Sequence, residues 1–256
     1  MLSKNQIKLI TSLKIKKYRE EYGLFCAEGL KIVSELLTQN KFNIESLFGT
    51  EEWISSNFEN LSSKNIEANT ITQSELDRIS QLKSANQVLA VIKIGESNIS
   101  NIDVNEELVL VLDEIKDPGN MGTIIRIADW FGIKSIVCSE NTVDIYNSKV
   151  IQSTMGSFLR VNVYYSSIID FLHKNKSKSK IYGAFLDGTP IYQEKLSRNG
   201  ILVIGNESNG ISKELVNMID YKLKIPSFST NKVLAESLNA SIATAIICSE
   251  FRRNNI

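Results

Sequence analysis

The second half of the chain carries three short clusters of polar residues and glycines, each close to an apolar run. The first cluster is DPGNMGTIIR, residues 117–126, in which Pro118 and two glycines permit a sharp turn. Arg126 then lies on the first turns of a helix expected to begin near Met121, beside the strand end where open α/β sheets bind ligands. Alone, the cluster favours an ordinary strand-to-helix turn with a surface arginine. It lacks both the GxGxxG of a dinucleotide site and the GK[ST] of a phosphate loop.

The second cluster, ILVIGNESNGIS at residues 201–212, joins an apolar strand to two glycines and an acid. Gly205 ends the strand, and Asn206 and Glu207 follow it. A carboxylate at the end of a buried strand needs a task or a partner, because burying a charge is costly. Ser212 is positioned to cap the next helix. A ligand-binding loop and a plain glycine turn explain this cluster equally well.

The third cluster is KIPSFSTNKVLAESLNASIATAI, residues 224–246. Ile225 belongs to the end of a strand, and a polar loop follows. Ser237, Leu238 and Asn239 then stand at the head of an apolar helix rich in small residues. Ser237 or Asn239 can cap this helix. Capping is compatible with ligand contact, because a helix N-terminus presents free N–H groups.

The elements that must position these clusters form an alternation of strands and helices, which predicts an α/β domain with a mainly parallel sheet. The run LVLVLDEI, residues 108–115, suits a strand buried on both faces. Further strands are predicted in KSIVCSE, KIYGAF, GILVIGNE and YKLKIP. We assign residues 1–95 to a small α/β domain, residues 96–106 to a polar linker and residues 107–256 to the second domain.

Composition narrows the functional classes. The chain has 256 residues, of which 43% are hydrophobic, so it can bury a substantial core. Its single histidine and three widely separated cysteines argue against a zinc site and against His-based nucleophilic catalysis. We predict no secretory signal and no membrane span, and hence a cytoplasmic protein.

Charge is unevenly distributed, although the formal net charge is zero. Residues 1–19 contain no acid, and a run of this kind is either a solubilising helix face or a phosphate-contacting surface. Its basic residues are Lys4, Lys8, Lys14, Lys16, Lys17 and Arg19.

In this order, the three clusters resemble the motifs of the SpoU (TrmH-type) branch of the SPOUT methyltransferases. They read Asn120-Met121-Gly122…Arg126, Gly205-Asn206-Glu207…Gly210 and Ile225-Pro226…Ser237-Leu238-Asn239. The text KLITSLKIKKYREEYGLFCAEGLKIVSELL, residues 8–37, is also similar to the family's L30e-like substrate-binding domain. The loop between Pro226 and Ser237 is longer than in some relatives.

This resemblance implies a C-terminal domain tied in a deep trefoil knot, against the usual rule that protein chains are unknotted. It also implies that the knotted loops hold S-adenosylmethionine. The positions that we expect to contact it, through backbone groups or as apolar walls, are Gly205, Ile225, Leu238, Leu186, Ile204 and Asn206.

The catalytic residues implied by the resemblance are Arg126, Asn120, Glu207, Ser237 and Asn239. A guanidinium is a poor base at neutral pH, so we expect Arg126 to grip a phosphate and stabilise the developing alkoxide. Asn120 would orient Arg126 or the ribose, Glu207 would pair with Arg126, and Ser237 and Asn239 would line the reaction centre or anchor its loop. No metal is needed, because the sulfonium is already an activated methyl donor.

The expected function is therefore methylation of a ribose 2′-hydroxyl, a group that DNA lacks. The resemblance also implies a homodimer, and it gives the basic residues of the N-terminus a role in contacting RNA. We favour ribosomal RNA over transfer RNA as the substrate. Two alternatives stay open: an RNA-binding protein of this fold without catalytic activity, and a nucleotide-dependent oxidoreductase, against which the missing GxGxxG speaks.

Overall fold

The computed structural model describes residues 1–82, 84–228 and 236–253, which fold into two compact units. Unit 1 comprises Met1–Glu96 and Asp144–Leu159, and unit 2 comprises Ser97–Val143 and the chain from Arg160 onward. The expected α/β class is confirmed in both. The expected knot and L30e-like fold stay predictions, as do the exact domain boundaries.

The helices and strands follow one another along the whole chain. The first part contains α1 (Lys4–Ser12), α2 (Lys16–Tyr22), β1 (Leu24–Glu28), α3 (Leu30–Thr38), β2 (Ile44–Gly49), α4 (Glu51–Ser56), α5 (Phe58–Ser63), β3 (Ala68–Thr70), α6 (Gln73–Ile79) and β4 (Val88–Lys93). The second part contains β5 (Leu108–Leu112), α7 (Pro118–Trp130), β6 (Ser135–Cys138), α8 (Ser148–Thr154), β7 (Asn162–Tyr165), α9 (Ile168–Asn175), β8 (Ile181–Pro190), β9 (Gly200–Ile204), α10 (Lys213–Val216), β10 (Tyr221–Lys224) and α11 (Ala240–Arg253).

Unit 1 is built on a four-stranded sheet in the order β1-β4-β2-β3. Strand β4 runs antiparallel to β1 and β2, whereas β2 and β3 are parallel. Capping boxes at Ser3 and Thr72 begin α1 and α6, because each hydroxyl accepts a backbone N–H that the first turn leaves free.

The segment 144–159, which the sequence analysis placed in the second domain, belongs to unit 1. Two kinds of contact explain this difference. Asp144 Oδ2 accepts hydrogen bonds from Nε and Nη2 of Arg19 at 2.9 and 2.6 Å. The ring of Tyr146 packs on that of Phe25, with 4.5 Å between centroids. Such long-range contacts cannot be read from local patterns.

Unit 2 is built on a six-stranded parallel sheet in the order β10-β8-β9-β5-β6-β7. Strands β5 and β9 are buried throughout, as their unbroken apolar runs predict. Strand β7 was not predicted, because this short edge strand has only one buried residue, Tyr164. Strand β8 is longer than predicted. Its pairing with β10 shifts between Gly183 and Thr189, so residues 184–188 bulge from the sheet.

Helix α7 begins at Pro118, three residues before the expected start at Met121. Asp117 caps it by accepting the Asn120 N–H at 2.7 Å, and proline suits the first helical position. No helix within the described residues is long and apolar enough to cross a membrane. The same residues contain no group of three or more His, Cys, Asp or Glu that could hold a metal ion.

Candidate active site

The candidate site lies at the carboxyl ends of β5 and β9, the two central strands of the unit 2 sheet. The chain runs outward from β5 to β6 and β7, and then returns through β8 to place β9 on the other side of β5. Parallel sheets bind ligands at such a reversal of strand order. Leu112 and Ile204 are register partners here. The first two sequence clusters therefore leave the sheet side by side.

Hydrogen bonds join the three clusters directly. Asn120 Nδ2 donates to Glu207 Oε1 at 2.8 Å, and Asn239 Nδ2 donates to Asn120 Oδ1 at 2.8 Å. Asn120 stands in the middle and is only 8% exposed. We call Glu207, Asn120 and Asn239 the amide network. A buried amide with a partner on each side has one favoured orientation, so the network fixes the three loops against one another.

Asn239 also begins α11. Its Oδ1 accepts from the backbone N–H of Ser241 at 2.9 Å and from the Ser241 hydroxyl at 2.6 Å. The cap expected at the head of this helix is therefore present, with Asn239 as the capping residue. Ser237 is exposed and has no hydrogen-bond partner among the described residues. Residues 229–235, the middle of the loop expected to be long, lie outside the described residues.

The loop after β9 is a closed turn. Asn206 N–H donates to the Gly210 carbonyl at 2.9 Å, and Gly210 N–H donates to the Asn206 carbonyl at 3.0 Å. A Cβ at Gly205 would collide with the backbone of Gly210, so only glycine fits there. Asn206 Nδ2 donates to the Glu114 carbonyl at 2.8 Å, and Asn206 Oδ1 accepts the Ser208 N–H at 2.9 Å. Asn206 thus shapes the loop, and its contact with a cofactor stays a prediction.

Arg126 does not form the predicted pair with Glu207. It is exposed and makes no hydrogen bond or ion pair with another described residue, whereas Glu207 accepts from Asn120. Asn120 forms no hydrogen bond with Arg126 either; the side-chain partners of its amide among the described residues are Glu207 and Asn239. Helix geometry explains the separation, because six residues turn the helix by about 600°, which is about 120° short of two whole turns. Arg126 therefore faces away from the network.

The predicted walls of the cofactor site differ in exposure. Leu186, in the bulge of β8, is 67% exposed, and Leu238, next to the amide network, is 48% exposed. Ile225 is half-buried directly after β10. Ile204 is only 2% exposed, so its side chain belongs to the core and offers almost no surface to a ligand. Leu186, Leu238 and Ile225 thus keep apolar surface that a ligand can cover.

Comparison with known protein families identifies the family to which this arrangement of residues belongs. Residues 107–249 match the SpoU rRNA methylase family. The chain belongs to that family. Residues 4–90 match a second model, the MRM3-like substrate binding domain. The predicted family resemblance is therefore confirmed across most of the chain of this SpoU methylase.

Individual relatives cover nearly the full length of this SpoU methylase. It is 30% identical to the 23S rRNA (guanosine(2553)-2'-O)-methyltransferase RlmP of Bacillus subtilis, over 98% of this chain and 97% of that protein. An RNA methyltransferase of the TrmH family from Porphyromonas gingivalis aligns with a TM-score of 0.88 and 36% identity, over 99% of each chain. An AdoMet-bound rRNA methyltransferase from Sinorhizobium meliloti gives a TM-score of 0.88 and 26% identity, over 100% and 97%.

Two polar residues of this SpoU methylase were missed in the sequence. Asp113, 4% exposed, accepts hydrogen bonds from Ser212. Glu114 adopts a positive φ of 57° and offers its carbonyl to Asn206. An acidic residue at the end of a buried strand was the signal that singled out Glu207. Asp113 and Glu114 carry the same signal after β5, where it was missed. Ser212 was expected to cap α10, but its hydroxyl donates to Asp113 instead.

Proposed function

We propose that this SpoU methylase transfers a methyl group from S-adenosylmethionine to a ribose 2′-hydroxyl of 23S ribosomal RNA. Family membership makes it a S-adenosylmethionine-dependent RNA methyltransferase. The observation that carries the assignment to this site is the amide network, which brings the three motif clusters together at the strand reversal. The 23S substrate rests on the name of the Bacillus subtilis relative.

The residues at the sheet edge fit the cofactor. The adenine ring needs apolar walls and a few polar contacts. Leu186, Leu238 and Ile225 supply half-exposed apolar surface, and the turn at Gly205–Gly210 supplies closely spaced backbone groups. A Cβ at Gly188 would collide with the Lys222 backbone, so the β8 bulge lies tightly against β10. These features support Leu186, Leu238, Ile225 and Gly205 as cofactor-contacting positions.

The side chains and backbone groups of this SpoU methylase mainly bind the cofactor and the RNA and hold them in position. When bound, S-adenosylmethionine supplies a methyl group on a positively charged sulfur, already activated for transfer. Arg126 is exposed and without a described partner, so its guanidinium is available to grip the phosphate beside the target ribose. Its fixed positive charge favours the negative charge that develops on the 2′-oxygen. The amide network holds Asn239 and Glu207 in place, and Ser237 lies exposed two residues from Asn239.

Unit 1 supplies a surface suited to the RNA backbone. Lysines on and between α1 and α2 are exposed: Lys4, Lys8, Lys14, Lys16 and Lys17. Tyr22 is 46% exposed and its ring stacks on that of Tyr18, with 6.2 Å between centroids. Exposed aromatic rings among lysines are typical of RNA contact. Arg19 does not take part, because it is 3% exposed and bonded to Asp144.

A homodimer is the assembly that we propose. Arg126 and Trp130 are four residues apart and thus share a face of α7, and Trp130 is 85% exposed. Ile242 of α11, which packs beside α7, is 52% exposed. A second copy would cover this apolar surface, and it would receive Arg126 at its own site. A ribosomal substrate would also account for the cytoplasmic location expected from the sequence.

The test is methyl transfer from tritiated S-adenosylmethionine to total RNA, followed by nucleoside mass spectrometry of RNA from a deletion strain. We expect label in 23S RNA and the loss of one 2′-O-methylated nucleoside. Label in transfer RNA alone would show that transfer RNA, and not 23S ribosomal RNA, is the substrate. Binding of S-adenosylhomocysteine without any transfer would identify an inactive RNA-binding protein of this fold.

A further inference from the structure

Asp113 ties together both ends of the loop that follows β9. It stands directly after β5 and is 4% exposed. Its backbone N–H donates to the carbonyl of Ile204, where β9 ends, at 2.9 Å. Its Oδ2 accepts from the Ser212 N–H at 2.7 Å and from the Ser212 hydroxyl at 2.6 Å. One residue therefore holds the entrance and the exit of the segment 205–212.

The segment held in this way carries the polar residue that orders the site. Glu207 lies within it and accepts from Asn120. A third tie comes from the neighbour of Asp113, because the Glu114 carbonyl accepts from Asn206 Nδ2 at 2.8 Å. The dipeptide 113–114 thus fixes the loop at its two ends and at its second residue, Asn206.

The chemistry of these bonds favours tight positioning. A carboxylate out of water is costly unless donors surround it, and the donors to the Asp113 carboxylate among the described residues come from Ser212. Hydrogen bonds to a charged oxygen are shorter and stronger than neutral ones, and the 2.6 and 2.7 Å distances are of that kind. Bonds of this strength confine a loop that glycines would otherwise leave free.

We propose that Asp113 is a positioning residue for methyl transfer. It holds the 205–210 turn in the shape that binds S-adenosylmethionine, and through that turn it sets Glu207 against Asn120. Ser212 is its partner in this role. The inference rests on the proposed function, since it assumes that the turn contacts the cofactor.

The experiment measures S-adenosylhomocysteine affinity by titration calorimetry on the full chain, beginning with the unaltered protein. Asp113→Ala should raise Kd about tenfold or more, because two charge-assisted bonds are lost. Asp113→Asn keeps an acceptor oxygen and should recover part of that loss. Ser212→Ala changes an exposed residue, so the fold should persist, and it should raise Kd by about three- to tenfold. The KM for S-adenosylmethionine should rise in each variant, with the KM for RNA unchanged.

Asp220→Ala is the matched control. Asp220 Oδ2 accepts the Ile181 N–H at 2.9 Å at the opposite end of the same sheet. Its loss should lower the melting temperature and leave Kd unchanged. If the unaltered protein binds S-adenosylhomocysteine but the Asp113 and Ser212 variants bind it within twofold, the positioning role is wrong. If Asp113→Ala fails to fold, Ser212→Ala decides alone. If the unaltered protein binds none, the proposed function fails first, and this inference fails with it.

Discussion

Replacing Glu207 tests whether the amide network works by geometry or by charge. Glu207→Gln keeps an oxygen that can accept from Asn120 Nδ2, now 2.8 Å away, but removes the negative charge. Glu207→Ala removes the acceptor and leaves the Asn120 amide, in a residue only 8% exposed, without that partner. If the carboxylate serves only to hold Asn120, the two substitutions must differ strongly in effect.

The magnitudes follow from the bonds involved. Losing a hydrogen bond to a charged group costs about 1.5–3 kcal/mol, which corresponds to a loss of about 12- to 150-fold in kcat/KM if Asn120 must keep its orientation in the transition state. Exchanging a charge-assisted bond for a neutral one costs about 1 kcal/mol, or about fivefold. Glu207→Ala should therefore be more damaging than Glu207→Gln, by up to about 30-fold.

The assay is initial-rate transfer of tritiated methyl to 23S RNA, with a melting curve for each variant. Glu214→Ala is the control, because Glu214 is an exposed glutamate of α10 and has no hydrogen-bond or ion-pair partner among the described residues. Equal losses for Glu207→Gln and Glu207→Ala, with both proteins folded, would refute the reasoning. They would show that the negative charge itself takes part in the reaction.

Three further predictions address Arg126, the lysines proposed to contact RNA and the carboxyl group of Glu28. Arg126→Ala should abolish methyl transfer and leave the affinity for S-adenosylhomocysteine unchanged. If Arg126→Ala and Asn239→Ala subunits are mixed in equal amounts and allowed to re-form dimers, about a quarter of normal activity should return, because half of the dimers are mixed and each mixed dimer has one complete site. If no activity returns, Arg126 acts at the site of its own chain. Lys14→Ala with Lys17→Ala should lower the slope of log K for RNA against log salt by about 1–2, whereas an unchanged slope in filter binding would remove both lysines from the RNA surface. Burial raises the pKa of Glu28 above 4.5, so the folded form binds the proton more tightly. The free energy of unfolding should fall as pH rises from 4.5 through that raised pKa; urea titrations should show a smaller fall in Glu28→Gln, and identical pH profiles would contradict this.

The placement of the first two clusters at one edge of the sheet could be predicted from the strand pattern, whereas the approach of the third was implied by the family resemblance. Gly205 and Asp117 each stand just beyond a buried parallel strand, and the carboxyl ends of such strands share one edge of the sheet. A cap by Ser237 or Asn239 was equally accessible, since residue type and a place before an apolar helix are both local signals. These inferences needed no knowledge of distances.

Pairings between side chains could not be predicted, because they depend on how each element is rotated. Glu207 was expected to pair with Arg126, but the rotation of α7 presents Asn120 instead. Ile204 was expected to wall a pocket, but the neighbouring strands leave it only 2% exposed. Charge and apolarity indicate what a residue can bind, whereas its direction is set by packing.

Within a single chain, the amide network of the site is thus held in place by hydrogen bonds, whereas Arg126 is not held by any described residue. Asn120, Glu207 and Asn239 are bonded to one another and to capped helices, so they are preorganised before any ligand arrives. Arg126 has no such bond to a described residue, and a guanidinium that is not held in this way loses side-chain entropy when it binds. That cost is offset only if a phosphate, or a second copy of the chain, fixes it. An ion pair between Arg126 and Glu207 would neutralise the positive charge that is needed to bind phosphate. The distance between the two residues prevents that pair from forming in the absence of RNA. The missing ion pair is therefore what a mechanism based on phosphate capture requires.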